Sequence, residues 1–370
     1  MKKTIVIVSN PFGYGPTGKA IALAEAFQKL ANVNVVFVGN SFAQEILPSN
    51  LSYISANERS EERLVTVFRG LTNPFIVSSQ NRFAIYAAKK LGLPCAFLDG
   101  LAWFWKDIPS DHFIADYIFW MRYPGREKKP QSNSQNIFLV PAIVDIETTE
   151  PAIDSRILLH VGGCENPLTK ALPVAYLDLL GAVLNDLEDI SKQKTMLTGG
   201  MRALEHLKLR GLKGIKMKTL KHDDFIAELK KADHFITTAG QTASLEAFAL
   251  GIPTSFLLPT NLSQLAFTDM LTEFGATVNQ LEWVSYVSPI NFQKIRDLTE
   301  KEALYELTRY AEGILNNNNK LERYKEDFHA LFHTHPSSVA QQEFIKTIGV
   351  NGAEKIVEIL DKGWRLSQEE

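Results

Sequence analysis

Short, almost wholly apolar runs alternate with helical patterns along this chain of 370 residues, and this alternation limits the possible folds most strongly. Strands that are apolar on both faces must be covered on both faces, so the pattern predicts parallel sheets with helices on each side. A first helix is predicted at Lys19–Ala31. The strands predicted in the first half are Thr4–Val8, Val33–Val38, Leu51–Ser55, Phe75–Ser78, Cys95–Leu98 and Ile137–Val140.

The alternation stops at Thr148–Ala152, which has the composition of a linker, and then starts again. Predicted elements of the second half are strands at Ile157–Val161 and Lys194–Leu197 and a helix at Leu172–Leu187. The length suits two domains. We predict a domain at residues 1–148, a second at 153–335 and a helical C-terminal segment at 337–370. The alternative is one doubly wound domain joined to a second domain of an unrelated fold.

Composition excludes several function classes. A net charge of −3 gives no basic surface, so we expect no nucleic-acid partner. The two cysteines, Cys95 and Cys164, form neither a metal motif nor a disulfide framework, which is typical of the reducing cytoplasm. The apolar run that begins at Thr4 ends at Ser9, which predicts a strand rather than a signal peptide, and we expect no membrane insertion.

A glycine-rich loop follows the first predicted strand. Gly13, Gly15 and Gly18 match the dinucleotide-binding pattern G-x-G-x-x-G, while Gly13, Gly18 and Lys19 match the spacing of a P-loop. Against dinucleotide binding, the second strand ends at Gly39 without the acidic residue expected there. Against a P-loop, alanine stands where a hydroxyl would hold Mg²⁺. Both interpretations, and a plain tight turn, stay open.

The segment from Asp233 to Gln264 carries the strongest functional pattern. It predicts a strand at His234–Thr238, a turn, a helix at Thr242–Leu250 and a further strand at Thr254–Leu258. The helix start, which Thr242 and Ser244 are expected to cap, offers free backbone N–H groups and the positive end of the helix dipole to a phosphate. A carboxylate in its first turn, Glu246, is placed to accept hydrogen bonds from a ribose.

This segment resembles the nucleotide-sugar site of GT-B glycosyltransferases, above all the bacterial enzyme that adds N-acetylglucosamine to the lipid-linked peptidoglycan precursor. The resemblance covers mainly Arg156 to about Ala276. It implies an α/β GT-B fold, with two Rossmann-like doubly wound domains facing a central cleft. It also implies a last helix that crosses back to the first domain.

The resemblance further implies a UDP-sugar as co-substrate and assigns its contacts. It assigns the diphosphate to Gly162 and Gly163, the base to Gly199 and Gly200, and the uracil edge to Leu220 and Phe225. It assigns the phosphates to Ala239, Gly240, Gln241 and Thr242. The ribose falls to Glu246, and the sugar hydroxyls fall to Asn261 and Gln264. Gly15 and Gly18 of the front loop would line the cleft. Because no Asp-x-Asp motif is present, we expect metal-independent transfer without a cofactor.

The first half is expected to hold a small-molecule acceptor. An inverting transfer needs a general base, and Asp99 ends a buried strand at the sheet edge that faces ligands in such folds. Lys19 is the second candidate catalytic residue, and we expect it to bind an anionic group of the sugar or the pyrophosphate. Three of the five tryptophans, at 103, 105 and 120, follow Asp99 within a short region, which indicates stacking on a flat ligand.

The front loop and this aromatic region together resemble cytosylglucuronate synthases, which join cytosine or hydroxymethylcytosine to glucuronate from UDP-glucuronate. The acceptor contacts that we assign are Phe12, Tyr14, Trp103, Trp105 and Arg122. Three alternatives stay open: a UDP-sugar transferase with another acceptor, a non-catalytic nucleotide-sugar-binding protein, and a UDP-sugar epimerase. We expect a monomer or homodimer. We assign no role to His222, His333 or His335.

Overall fold

The structure, a computed structural model, describes residues 2–128, 136–144, 146, 156–165, 168–169, 171–187, 194–212, 214–277 and 279–366. The chain divides into two compact units. Unit 1 consists of Met1–Asp145 and Ile345–Glu370, and unit 2 of Ile146–Phe344.

Unit 1 is built on a seven-stranded parallel sheet within the described residues, with strand order β3-β2-β1-β4-β5-β6-β7. The strands are β1 (Lys3–Ser9), β2 (Val33–Gly39), β3 (Ser52–Ser55), β4 (Pro74–Ser79), β5 (Cys95–Asp99), β6 (Tyr117–Met121) and β7 (Ile137–Val140). The helices of this unit are α1 (Gly15–Gln28), α2 (Glu61–Arg69), α3 (Arg82–Lys90) and α13 (Gly352–Trp364). Short 3₁₀ helices lie at Phe42–Ile46 and Ser110–Phe113.

Both faces of this sheet are covered. Val6 and Val8 of β1 join a core with residues of α2 and α3, whereas α1 packs on β1 as well and α13 packs on α1. Strand residues alternate between faces, so the fully apolar runs predicted from the sequence correspond to burial on both sides.

Unit 2 has a five-stranded parallel sheet in its described part, in the order β10-β9-β8-β11-β12. Its strands are β8 (Arg156–His160), β9 (Met196–Thr198), β10 (Lys216–Lys218), β11 (Ala232–Thr237) and β12 (Thr254–Phe256). The helices are α4 (Val174–Asp186), α5 (Met201–Leu209), α6 (His222–Leu229), α7 (Gln241–Ala249), α8 (Leu262–Phe274), α9 (Pro289–Lys294), α10 (Glu300–Leu315) and α11 (Asn318–His333). 3₁₀ helices lie at Trp283–Ser285 and Ile295–Asp297, and α12 (Val339–Ile348) runs across the division between the units.

The core of unit 2 on one sheet face is formed by α6 and α7. Phe225 and Leu229 of α6 pack with Leu158 of β8 and Phe235 of β11. These two helices carry four of the residues predicted to contact a nucleotide, Phe225, Gln241, Thr242 and Glu246, and the core fixes both helices to the sheet.

Helix α1 and strand β6 differ from the sequence prediction. Helix α1 begins at Gly15 rather than Lys19, because Pro16 in its first turn has the backbone angle that a helix start needs. Strand β6 was not predicted. Its sequence, YIFWM, is a buried strand, so Trp120 belongs to the sheet, although the sequence analysis counted it among the stacking aromatics.

The predicted fold class is confirmed, since both units are doubly wound α/β structures with parallel sheets. Among the described residues, no helix combines the length and apolar character needed to cross a membrane.

Candidate functional site

The glycine-rich loop of unit 1 is held by hydrogen bonds within α1 and to the end of β1. Gly15 and Gly18 lie in the first turn of α1, where the Gly18 N–H donates to the carbonyl of Tyr14 at 2.9 Å. The hydroxyls of Thr17 and Ser9, both buried, are 2.9 Å apart. The loop is therefore bonded to the end of β1, and most of its glycines stand at helical positions.

A carboxylate does lie at the end of β2, contrary to the sequence analysis. Glu58, which follows β3 in the chain, is buried and accepts the backbone N–H of Asn40 at 2.9 Å. The side chain of Asn81 donates to the carbonyl of Glu58 at 3.0 Å and holds this segment in place. The sequence of β2 gives no sign of this carboxylate because Glu58 belongs to a different segment of the chain.

Asp99 and His112 form a hydrogen-bonded pair at the carboxyl end of β5. Asp99 is fully buried, and its Oδ2 is 2.8 Å from Nδ1 of His112. Its Oδ1 accepts the backbone N–H of Leu101 at 2.8 Å. Both carboxylate oxygens therefore have protein partners. The side chain of His112 is 15 % exposed, so the histidine and not the carboxylate reaches solvent.

Lys19 and Asp99, the two predicted catalytic residues, are close together. A Cβ added to Gly100 would lie only 2.9 Å from Cε of Lys19, so the lysine side chain passes directly over this glycine. Lys19 itself is 3 % exposed. The structure thus brings the side chain of Lys19, in α1, to the end of β5.

The aromatic residues after Asp99 fall into two environments. Trp103 is 7 % exposed, and its ring packs on Tyr123 with centroids 5.2 Å apart, which leaves little ring surface for a ligand. Trp105 is partly exposed and lies edge-on to His112, and its Nε1 makes no hydrogen bond to any described residue. Arg122 is exposed directly after β6.

The two remaining predicted acceptor residues lie beside the front loop. Tyr14 donates its hydroxyl to Glu45 at 2.6 Å, and its ring contacts Phe42. Phe12 is half-buried in the same loop. Both rings are partly accessible, and their ligand contacts stay predictions.

The predicted diphosphate and base glycines of unit 2 contact one another. A Cβ on Gly200 would lie 2.5 Å from the carbonyl oxygen of Gly163, and the Gly200 N–H donates to the Gly162 carbonyl at 2.9 Å. Gly199 is equally confined, at 2.4 Å from Val161. Close approach of the loops after β8 and β9 therefore explains these glycines without a ligand.

Backbone strain marks the same loop. Cys164 has φ of 55°, a conformation that is unusual for a residue other than glycine. Its thiol donates to the carbonyl of Val161 at 3.0 Å, and burial raises the pKa of the thiol to about 12. Such strain persists only where the surroundings impose it, and it is frequent at ligand-binding loops.

Helix α7 begins one residue earlier than predicted, at Gln241, with Gly240 as the N-cap residue. The predicted capping by Thr242 and Ser244 is wrong, because the N-cap residue is Gly240 and both of these residues lie inside the helix. The Ser244 hydroxyl is buried and makes no hydrogen bond within the described part of the chain. Gly240 has no side chain, so the N-cap residue itself leaves room for a ligand at this helix start, where the positive end of the helix dipole favours an anion.

Glu246 lies in the second turn of α7 and is paired with a histidine that the sequence analysis set aside. Its Oε1 is 2.8 Å from Nε2 of His222, the first residue of α6. Glu246 is 1 % and His222 5 % exposed. Leu220 and Phe225, predicted near the uracil edge, are both buried on either side of His222.

His160 ends β8, and its ring lies tilted against that of Phe225, with centroids 4.9 Å apart. The Thr198 hydroxyl donates to the carbonyl of Leu159, so it accepts from Nδ1 of His160 at 2.9 Å and leaves Nε2 as an acceptor. Burial lowers the pKa of His160 to about 4. This imidazole is therefore uncharged at neutral pH.

Asn261 and Gln264 stabilise the start of α8. The Asn261 carbonyl oxygen caps the helix by accepting the Gln264 N–H at 2.9 Å, and the Gln264 carbonyl oxygen accepts the Thr260 N–H at 2.7 Å. These bonds fix the orientation of both amides. Each side chain keeps its NH₂ group as a donor, so the loop offers two donors to an oxygen-rich ligand.

The described residues contain no group of three or more His, Cys, Asp or Glu side chains placed to hold a metal ion. No family model and no curated protein sequence matches this chain.

Solved structures do resemble it. The crystal structure of Acinetobacter baumannii MurG has a TM-score of 0.52 at 14 % identity and covers 97 % of this chain and 99 % of its own. The S. aureus MnaA–UDP structure also has a TM-score of 0.52 at 14 % identity, with 100 % and 98 % covered. The O. sativa protein Os79, solved with U2F and trichothecene, has a TM-score of 0.55 at 12 % identity, with 96 % and 99 % covered. At these identities the likeness establishes the GT-B fold.

Proposed function

We propose that this chain is a glycosyltransferase that uses a UDP-sugar. The observation that carries this proposal is the arrangement around α7: a helix start with Gly240 as its N-cap residue for a diphosphate, and the buried carboxylate of Glu246 in the second turn. The fold likeness supports it, since the S. aureus neighbour was solved with UDP. Unit 2 would bind the donor and unit 1 the acceptor.

The Asp99–His112 pair supports a specific account of proton transfer. Asp99 holds Nδ1 of His112 and thereby orients Nε2 as the acceptor of a proton, which is how carboxylate–histidine pairs operate as general bases. Nε2 is 4.0 Å from Asp111, beyond hydrogen-bond distance. We therefore assign the base to His112 and make Asp99 its positioning residue, in place of the direct role first predicted for Asp99.

The proposed reaction is an inverting displacement. The acceptor nitrogen or oxygen forms a bond to the anomeric carbon, the bond from that carbon to the β-phosphate oxygen breaks, and the acceptor proton passes to His112. UDP leaves with its negative charge, which backbone N–H groups and the positive dipole end of α7 stabilise. This scheme uses no metal ion.

For the substrates we propose UDP-glucuronate and a pyrimidine base such as cytosine or hydroxymethylcytosine. Two cationic side chains support a uronate: Lys19, beside Gly100, and Arg122, directly after β6. In the sheet register Asp99 is paired with Trp120, the residue two positions before Arg122. The partly exposed ring of Trp105 beside His112 supports a flat acceptor.

Calorimetric titration with UDP, in EDTA and with ATP and NAD as controls, tests the donor site. We expect micromolar binding of UDP and none of the other two. Binding of ATP or NAD alone would overturn the proposal in favour of the front loop. The substrates are tested by mass spectrometry of reactions with UDP-glucuronate or UDP-N-acetylglucosamine and cytosine. UDP release without an acceptor would favour an epimerase, and UDP binding without any turnover would favour a binding protein.

A further inference from the structure

The buried pair of His222 and Glu246 connects the starts of two helices in unit 2. His222 is the first residue of α6, Glu246 lies in the second turn of α7, and 24 positions separate them in the chain. A bond of 2.8 Å between side chains that are 5 % and 2 % exposed is shielded from water. It therefore fixes the carboxylate of Glu246 more firmly than an exposed pair would.

Only one oxygen of the carboxylate is used. Oε1 is bonded to His222, whereas Oε2 makes no hydrogen bond to any residue that the structure describes. The charge of the carboxylate makes it a strong acceptor for a hydroxyl group. His222 thus leaves Glu246 with one oriented oxygen for a ligand that reaches the start of α7.

We propose that His222 is a positioning residue that makes the donor site selective for ribonucleotides. It holds Glu246 so that Oε2 accepts one ribose hydroxyl of a nucleoside diphosphate. This inference rests on the proposed function. It adds a residue outside the contacts assigned above and predicts that one of the two ribose hydroxyls carries most of the selectivity.

The test compares the dissociation constants of UDP, 2′-deoxy-UDP and 3′-deoxy-UDP. In the wild-type protein we expect one deoxy nucleotide to bind at least tenfold more weakly than UDP, as for loss of a hydrogen bond to a charged group. In His222→Ala the ratio should fall below about threefold, because Glu246 is no longer held. His222→Gln keeps a donor at the same place and should retain the wild-type ratio.

A matched control is available in the same unit. His206 donates to Asp178 at 2.7 Å in the same manner, but between α5 and α4. His206→Ala should leave all three affinities unchanged.

The ratio of affinities separates positioning from stability, since simple destabilisation weakens all three nucleotides alike. Equal binding of UDP and both deoxy nucleotides by the wild-type protein would overturn the inference and leave the UDP site standing. An unchanged ratio in His222→Ala would overturn it as well. Absence of UDP binding by the wild-type protein would instead overturn the proposed function.

Discussion

Each unit holds a carboxylate–histidine pair near the carboxyl edge of its sheet, and the two pairs differ in accessibility. Both are bonded at 2.8 Å. In unit 1 the Asp99 side chain is 1 % exposed and that of His112 15 %. In unit 2 the Glu246 side chain is 2 % exposed and that of His222 5 %. An accessible histidine on a buried carboxylate suits proton transfer, whereas a pair buried on both sides suits the fixing of a ligand contact.

The secondary-structure elements that carry the two pairs also differ. His112 lies on a short 3₁₀ helix after β5, and Asp99 has a second donor in the backbone of Leu101. His222 and Glu246 both lie on α-helices packed against the sheet. The same two chemical groups therefore take different roles because of the elements that carry them.

The largest effect should come from the accessible pair. His112→Gln keeps the size and polarity of the side chain but removes the base. Turnover should fall by about 10² to 10⁴, while the dissociation constant for UDP stays within about twofold. Rates of UDP release and calorimetry measure the two quantities. His206→Gln is the control, and full turnover in His112→Gln would remove the proposed role of unit 1.

Acid should destabilise unit 2 more than unit 1. Burial lowers the pKa of His160 to about 4 and, with the neighbouring His335, that of His234 to about 3. Both histidines are uncharged in the folded chain but take up protons when unfolded below about pH 6.5. Their contribution to stability is therefore full above pH 6.5 and is lost as the pH falls towards 4.

Where both histidines titrate, the free energy of unfolding should fall by about 2.7 kcal/mol per pH unit, the slope for two protons. Hydrogen exchange between pH 7 and 4.5, followed by mass spectrometry, resolves the two units. We expect protection to be lost first in β8 and β11. Earlier loss of protection in β1 and β4 of unit 1 would contradict the prediction.

Removal of the ribose carboxylate should have an intermediate effect. Glu246→Ala should weaken UDP binding by about 1–3 kcal/mol, because a charge-assisted hydrogen bond is lost. Calorimetry measures the change, and Glu312→Ala, at an exposed position on α10, is the control. Unchanged affinity would place the donor site elsewhere.

Glycine substitutions give the smallest effects and compare the loops of the two units. Gly200→Ala places a methyl group 2.5 Å from the Gly163 carbonyl, and Gly100→Ala places one 2.9 Å from the flexible end of Lys19. Backbone atoms move aside less readily than the end of a lysine side chain. We therefore expect the free energy of unfolding to fall by about 1–3 kcal/mol for Gly200→Ala and by under about 1 kcal/mol for Gly100→Ala.

Gly313→Ala in α10 meets no atom within 4 Å and should stabilise the protein by about 0.5–1 kcal/mol. Urea unfolding measures all three variants. A larger loss for Gly100→Ala than for Gly200→Ala would mean that the Lys19 side chain cannot move aside.

The sequence predicted the fold well, because apolar strands and helical periodicity are local signals. Strand β6 was missed for a physical reason: aromatic residues suit both a buried strand and a ligand surface. Strand β10 has the sequence KMK, in which Met217 is the single apolar residue, so it shows no apolar run.

The site was less predictable, because its decisive contacts are between distant segments. The bond from His222 to Glu246 and the approach of Glu58 to the end of β2 depend on how strands are ordered in the sheet. His112 is only 13 positions from Asp99, but it lies on a 3₁₀ helix with no distinctive pattern. Only the structure shows that its ring turns back onto the aspartate.

The most direct test of the different roles of the two pairs measures two quantities, the affinity for UDP and the rate of UDP release. Both are measured in the wild-type protein, in His112→Gln and in His222→Ala. The substrates for the rate measurement are UDP-glucuronate and cytosine. We predict that His112→Gln loses about 100-fold or more in rate with unchanged affinity. We predict that His222→Ala loses about tenfold or more in affinity. If both substitutions changed the same quantity, or if His112→Gln weakened UDP binding, the account would be contradicted.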